Sequence, residues 1–390
     1  MTSISVILNK EQRSIWIGTR EFYSFCIGLG LILFAIHNPY LTPMAKDNTP
    51  ILFFPQFGVL IIGLASMLLF SNEKAKLDFG PKWLYIPMLI IVASGLLRII
   101  VEPSMHVLIG GLWLVIMFTL YLAARALKED IFWVFAPFVI IESISCVIYA
   151  IVTGEANGGI VSPTNYDLAT GILVLGALFS VGKYQWKICL VAIVGLAATG
   201  SSEAVFAIAG LGLFALYRRD WDKRMLGILA ILAVLIIGWL WIGNGLSVYD
   251  RTSDIISTTT NEENHSAVSG RWIDYSRAIQ ETEILGQGYE VNLNTNHTVH
   301  NLPLIIWDQI GPIAAFAWLF IALSCIIRTN WRYAWLAIIL LSVWDHFIWT
   351  QLSPYWWALA GVSSASAIES DLIFKQQEKS KEESFWKRII

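Results

Sequence analysis

The sequence predicts an all-α polytopic membrane protein, on three observations. Of 390 residues, 56% are hydrophobic and only 14% are charged, with a mean hydropathy of +0.63. Soluble domains carry roughly 25% charged residues, so this chain is built for another solvent. The apolar residues fall in runs of the length a bilayer demands, about 20 residues per helix. Finally, 18 Trp and 13 Tyr suit a protein whose amphipathic rings settle at membrane interfaces.

Taken in order, the apolar runs give about twelve spanning helices at about 20 residues each. They are centred near residues 30, 60, 92, 115, 142, 174, 192, 209, 234, 315, 340 and 361. The seventh and eighth, "WKICLVAIVGLAATG" and "SSEAVFAIAGLGLFALYR", are short and joined by a tight polar turn. The first 20 residues are polar and lack a short apolar core, so the first span is expected to be the uncleaved membrane address.

Charge orients the spans. With a cytoplasmic N-terminus and twelve passes, 21 of the 26 Lys and Arg fall on the inner side. Only Lys46, Arg98, Arg251, Arg271 and Arg277 fall outside. Such asymmetry is the positive-inside pattern, and it places both termini in the cytoplasm. The net charge of −3 gives no reason to expect a nucleic-acid partner. Cys26, Cys146, Cys189 and Cys325 all lie in apolar runs without ligand spacing, and read as small buried hydrophobes.

The chain therefore reads as one membrane domain, residues 1–390, with two soluble features. Residues 371–390, "DLIFKQQEKSKEESFWKRII", form a charged cytoplasmic tail. Residues 244–302, between the ninth and tenth spans, form a long polar outer loop. A structureless connection of that length is usually functional or disordered.

Three of the four outer arginines lie on this loop. Arg251 and Arg277 can each pair with a loop carboxylate such as Asp254, Glu262 or Glu263. Arg271 is different. Ser269 is placed to cap a helix over "SGRWIDYSRAIQ", which puts Arg271 in its first turn. There the helix dipole disfavours a cation, and a bound phosphate or pyrophosphate would remove the conflict.

The stretch "TNHTVHNLPLIIWDQIGPI", residues 295–313, crowds polar groups at the entry of the tenth span. A helix starting near Asn301 puts His300 at the outer face, with Asn301, Asp308, Gly311 and Ala315 along one side. Asp308 would lie roughly 10 Å into that helix, where a carboxylate needs a polar cavity or a partner. Its expected role is an interhelical hydrogen bond. His300 can exchange a proton near neutral pH. His297 is a less constrained loop residue, and His265 is expected to be solvated. Asp345 and His346, toward the outer end of the eleventh span, should share the depth of His300 and support the same site. Glu203, after the "TGSS" turn, reads at that level too. Glu142, mid-span in "FVIIESISCV", reads equally as part of an ion path or as an interhelical bond.

"VHNLPLIIWDQIG" resembles the signature of the O-antigen ligase/polymerase superfamily: His300, then Asn301, nine residues, then Gly311. Upstream, "SGRWIDYSRAIQETEILGQGYE" is similar to that family's Ser-Gly-Arg segment and Gly-x-Gly turn. "SPTNYDLATGILVL" is similar to its Pro-x-Asn-x-x-Ala entry to a middle span, and "DHFIWTQ" to a segment near the C-terminal end of some members. The resemblance covers roughly residues 150–350, in the family's order.

It implies a glycosyltransferase of the bacterial plasma membrane that needs neither metal nor cofactor. The donor would be an undecaprenyl-pyrophosphate-linked glycan and the acceptor a hydroxyl of a lipid, glycan or protein. By motif, Arg271 would bind the donor pyrophosphate, with Arg251 as a second basic group. His300 would activate the acceptor or support the leaving group. Many members carry an arginine in a Ser-Arg-Gly turn between the two short spans, where this chain reads "TGSSE" at 199–203. Arg98, at the outer end of the third span, is the candidate to supply that contact. A repeat-unit polymerase has the same donor chemistry, and a lipid-linked sugar flippase is the reading from another class. A transporter would place its charges near the midplane, whereas most of these lie at the outer face.

Overall fold

A computed structural model describes residues 20–36, 53–71, 77–153, 158–162, 166–180, 185–218, 275–276, 278–280, 283–288, 301–344 and 347–367. Among them the fold is all-α, a membrane protein built of apolar helices. In chain order, α1 is 20–35, α2 Phe53–Ser71, α3 Lys82–Val101, α4 Met105–Leu127 and α5 Phe135–Thr153. There follow α6 Tyr166–Phe179, α7 Gln185–Thr199 and α8 Ser202–Arg218. Next come α9 Leu302–Ile310, α10 Pro312–Arg328, α11 Arg332–Trp344 and α12 353–367. Four stretches are long and apolar enough to cross a bilayer: 54–71, Lys82–Val101, 107–132 and Phe135–Thr153. The run centred near residue 234 and the tail 371–390 lie outside the described residues.

Local chemistry sets the helix ends. Ser104 caps α4 by accepting the Val107 N–H at 3.2 Å, and Lys128, at φ 58°, stops it. Pro312 opens α10 at a position where a missing N–H costs nothing. At its other end Thr329 donates to the Cys325 carbonyl, 2.7 Å, and accepts the Trp331 N–H, 3.3 Å, turning the chain into α11.

The helices meet through small residues, as they must where lipid offers no hydrophobic drive. Gly58 of α2 lies against the Phe34 and Gly30 backbone of α1, Gly195 of α7 against Ser143 of α5, and Gly361 of α12 against Tyr121 and Ala124 of α4. Tyr355, Trp356, Trp357, Ala358, Leu359 and Ala360 are all at 0% exposure. A helix buried on every side belongs to the core of its bundle, and α12 packs there against α4, α5, α6 and α11. Outward-facing residues such as Met67, Ile100 and Ile151 are apolar and more than 70% exposed, as lipid contact requires.

The two ends of the bundle differ in charge. At one, Arg20 reaches Asp130 and the Leu127 carbonyl, both at 2.7 Å. Arg125 pairs with Asp78 and donates to Ser364 at 3.0 Å, and Arg328 lies 5.2 Å from the Trp83 ring centroid. The Arg125 guanidinium holds the Asp78 carboxyl below the usual carboxylate range. Among the described residues, Arg98 is the one basic side chain at the opposite end.

Candidate functional site

That opposite end is organised by a helix break. The sequence predicts one continuous span from Asn301 through Ala315. The chain instead forms α9, only nine residues long, roughly 13 Å, and restarts as α10 after Gly311. Gly311 sits at φ 95°, ψ 164°, a region essentially restricted to glycine. A Cβ there would also strike the Ile284 carbonyl. The shared face expected of Asn301, Asp308, Gly311 and Ala315 is therefore interrupted. The signal was present: Gly-Pro is a strong local breaker, and "IGPI" stands within the apolar run.

The break receives the end of the long loop. Gly286 and Gly288, at φ 75° and 91°, let "LGQG" lie flat against the last turn of α9. The Gln287 N–H donates to the Asp308 carbonyl at 2.6 Å and the Gly288 N–H to the Gln309 carbonyl at 3.1 Å. These bonds take up carbonyls that a helix C-terminus leaves open. A side chain at Gly286 would run into the Gln309–Ile310 peptide, so the turn needs glycine for contact as well as for φ.

Arg98 locks the same turn from α3. It is 6% exposed, donates to the Gln287 carbonyl at 3.0 Å, pairs with Glu102, and lies 3.7 Å from Glu283. Its Nε has no hydrogen-bond partner and faces the Gly288 backbone, 3.5 Å from where a Cβ would stand. Two carboxylates and a carbonyl occupy a guanidinium that the sequence offered as a second anion contact. Arg98 clamps the loop.

Asn301 ties the start of α9 to the end of α11. Its Oδ1 accepts the Leu304 N–H at 3.2 Å, capping α9, while its Nδ2 donates to the Val343 carbonyl at 3.2 Å. The residue after His300 is thus bonded two residues before Asp345. Gln309, at the other end of α9, accepts the Trp349 indole N–H at 2.7 Å. Trp349 in turn stacks on Trp356 of α12, 6.2 Å between centroids. Asp308 is 4% exposed beside this joint. His300, Arg251, Arg271, Arg277, Asp345, His346, His265 and His297 lie outside the described residues, as do Asp254, Glu262 and Glu263. The expected helix after Ser269 is seen at 275–276 and 278–280.

The start of α6, Tyr166–Phe179, also lies at this end. Asp167, in the first turn of α6, accepts from Ser201 Oγ at 3.1 Å, and the Thr170 and Thr199 hydroxyls lie 3.3 Å apart. The α7–α8 turn, Thr199 to Ser201, is thus held against α6 by side-chain hydroxyls. Leu352, from the turn after α11, lies beside Gly171 of α6. The residues missed in the sequence are Glu102, Glu283, Gln287, Gln309 and Trp349. Glu283, Gln287, Gln309 and Trp349 matter through partners distant in the chain, so no local pattern marked them, whereas Glu102 pairs with Arg98 four residues before it. No protein-family model matches the chain, and no curated protein matches it by sequence.

Proposed function

We propose that the chain is a metal-independent membrane glycosyltransferase of O-antigen ligase type. On this reading it crosses a bacterial plasma membrane in about twelve passes, with both termini cytoplasmic. It transfers a glycan from an undecaprenyl-pyrophosphate donor to an acceptor hydroxyl on the outer face. The observation that carries the reading is the docking of Gln287 and Gly288 on Asp308, Gln309 and Arg98. It brings the end of the arginine-bearing loop to the bundle end where Asn301, next to His300, is bonded to Val343.

The donor chemistry asks for position and charge. Pyrophosphate is already a good leaving group, so aligned reactants and fixed cations supply most of the rate. Arg271 and Arg251 neutralise the diphosphate. His300 takes the acceptor proton or steadies the departing group. Asn301 fixes the backbone beside His300, and Asp308, Asp345 and His346 support the surrounding joint. Arg277 remains a further loop cation, and Arg98 serves by holding the Gly-x-Gly turn.

The test is made in host cells carrying the intact gene, no gene, or His300→Ala or Arg271→Ala. Undecaprenyl-linked glycans are extracted and sized. Long lipid-linked polymer accumulating without the gene supports a ligase, and single repeat units support a polymerase. Point variants that insert in the membrane yet accumulate the same material support the site. Unchanged lipid-linked glycans, or accumulation confined to the cytoplasmic side, would overturn the transferase reading.

A further inference from the structure

α6 is too short for its place. Its 14 residues rise roughly 21 Å, against about 30 Å of hydrocarbon. The chain before it does not stay at the end of α5. Residues 158–162 fold back along α5 to the level of Glu142, eleven residues before its last residue, Thr153. The Ile160 N–H donates to Ser145 Oγ at 2.9 Å and the Val161 N–H to Glu142 Oε2 at 3.1 Å. Ser145 Oγ also donates to the Glu142 backbone carbonyl at 2.9 Å.

Non-helical backbone at membrane depth survives only where its N–H groups find partners in the protein. Glu142, at 0% exposure, supplies the partner for Val161. Gly159 makes the approach feasible, because a Cβ there would overlap the Glu142 carboxyl group. Val161 and Ser162, at 3% and 0% exposure, are thereby held inside the bundle. We propose that residues 158–162 are a re-entrant segment, and that Glu142 is the positioning residue that pins it in the membrane. The pin sets where α6 begins. Through Asp167 and Thr170 it sets the α7–α8 turn, so an intramembrane carboxyl group fixes the geometry of the candidate site from below. This role is independent of the transfer reaction.

The test needs no substrate. Cys26, Cys146, Cys189 and Cys325 are replaced by alanine, and Ser162→Cys is introduced as the reporter. Labelling by a membrane-impermeant maleimide is followed in membrane vesicles of known orientation. With Glu142 present the buried thiol reacts slowly. Glu142→Ala removes a hydrogen bond to a buried N–H, and labelling is expected to accelerate about tenfold or more. Glu142→Gln retains an acceptor oxygen and is expected to stay within about twofold of the parent. Gly159→Ala sets a Cβ on the Glu142 carboxyl group, so the carboxyl group or the segment must move and their contact is lost. It is expected to open the segment likewise, which carries the test if Glu142→Ala does not insert. Unchanged labelling in Glu142→Ala or Gly159→Ala overturns the pin, as does Glu142→Gln labelling as fast as Glu142→Ala.

Discussion

The Arg98 guanidinium donates to the main-chain carbonyl of Gln287 across 189 residues of sequence, at 3.0 Å. With the Glu283 ion pair, it joins α3 to the Gly-x-Gly turn of the long loop. Glu102 and Glu283 hold the same guanidinium but are 51% and 75% exposed. Exposed ion pairs contribute little, about 0–1 kcal/mol, so the carbonyl bond should dominate. Arg98→Ala is expected to speed hydrogen exchange in the peptide carrying Gln287 and Gly288 by about tenfold or more. Glu283→Gln is expected to leave it unchanged. Equal effects from both would mean that the ion pair, not the carbonyl bond, is the clamp.

The helix break makes a prediction about glycine. Gly311→Ala puts a side chain in a glycine-only conformation and into the Ile284 carbonyl, and should destabilise by about 1–3 kcal/mol or more. Gly63, in the middle of α2, has nothing within 4 Å of where its Cβ would be. Gly63→Ala should be neutral or stabilising by about 0.5–1 kcal/mol. Thermal unfolding of both variants in the same detergent separates them. A harmless Gly311→Ala would mean that α9 and α10 join without the break.

These two cases show what was legible in the sequence and what was not. Hydropathy reports depth, so the apolar passes stand out, and so does the end of the bundle where Arg20, Arg125 and Arg328 gather. Hydropathy is blind to the backbone inside a pass. "LPLIIWDQIGPIAAF" is apolar on both sides of Gly311, and only the Gly-Pro pair marks the break. Asn301 was legible as the start of a helix because capping is local chemistry. Its bond to Val343 was not, because that depends on how α9 lies across α11. Glu142 could not be assigned from the sequence, since its partner at Val161 arrives only after the chain turns back from α5.

The opposite end responds to acid. The Arg125 bond keeps the Asp78 carboxyl ionised below its ordinary range, so the folded state binds its proton less readily than the unfolded chain. The stabilisation is full above the unfolded value of about 3.9 and is lost as pH falls through the lower folded value. The pair's contribution is therefore full and constant between about pH 5 and 8, and melting temperature should show no pH dependence from it there. Below about pH 4 the parent should lose stability that Asp78→Asn does not have to lose. Parallel acid profiles for the two would remove Asp78 from the account.

Asn301 performs two tasks that substitution can separate. Asn301→Asp keeps an oxygen for the Leu304 N–H, so the α9 cap survives, but it has no N–H for the Val343 carbonyl. Asn301→Ala loses both, and the cap alone is worth about 1 kcal/mol. If Asn301 only caps a helix, Asp should behave as the parent in thermal unfolding and in cells. If the bond to Val343 is what matters for transfer, Asp should retain the parent's stability within about 1 kcal/mol. It should still accumulate lipid-linked glycan as the gene deletion does. Positional errors of about 1 Å can cost about a hundredfold in rate, so a nearly native fold with lost transfer is the expected pattern. Parent-like glycans in Asn301→Asp would restrict Asn301 to its cap.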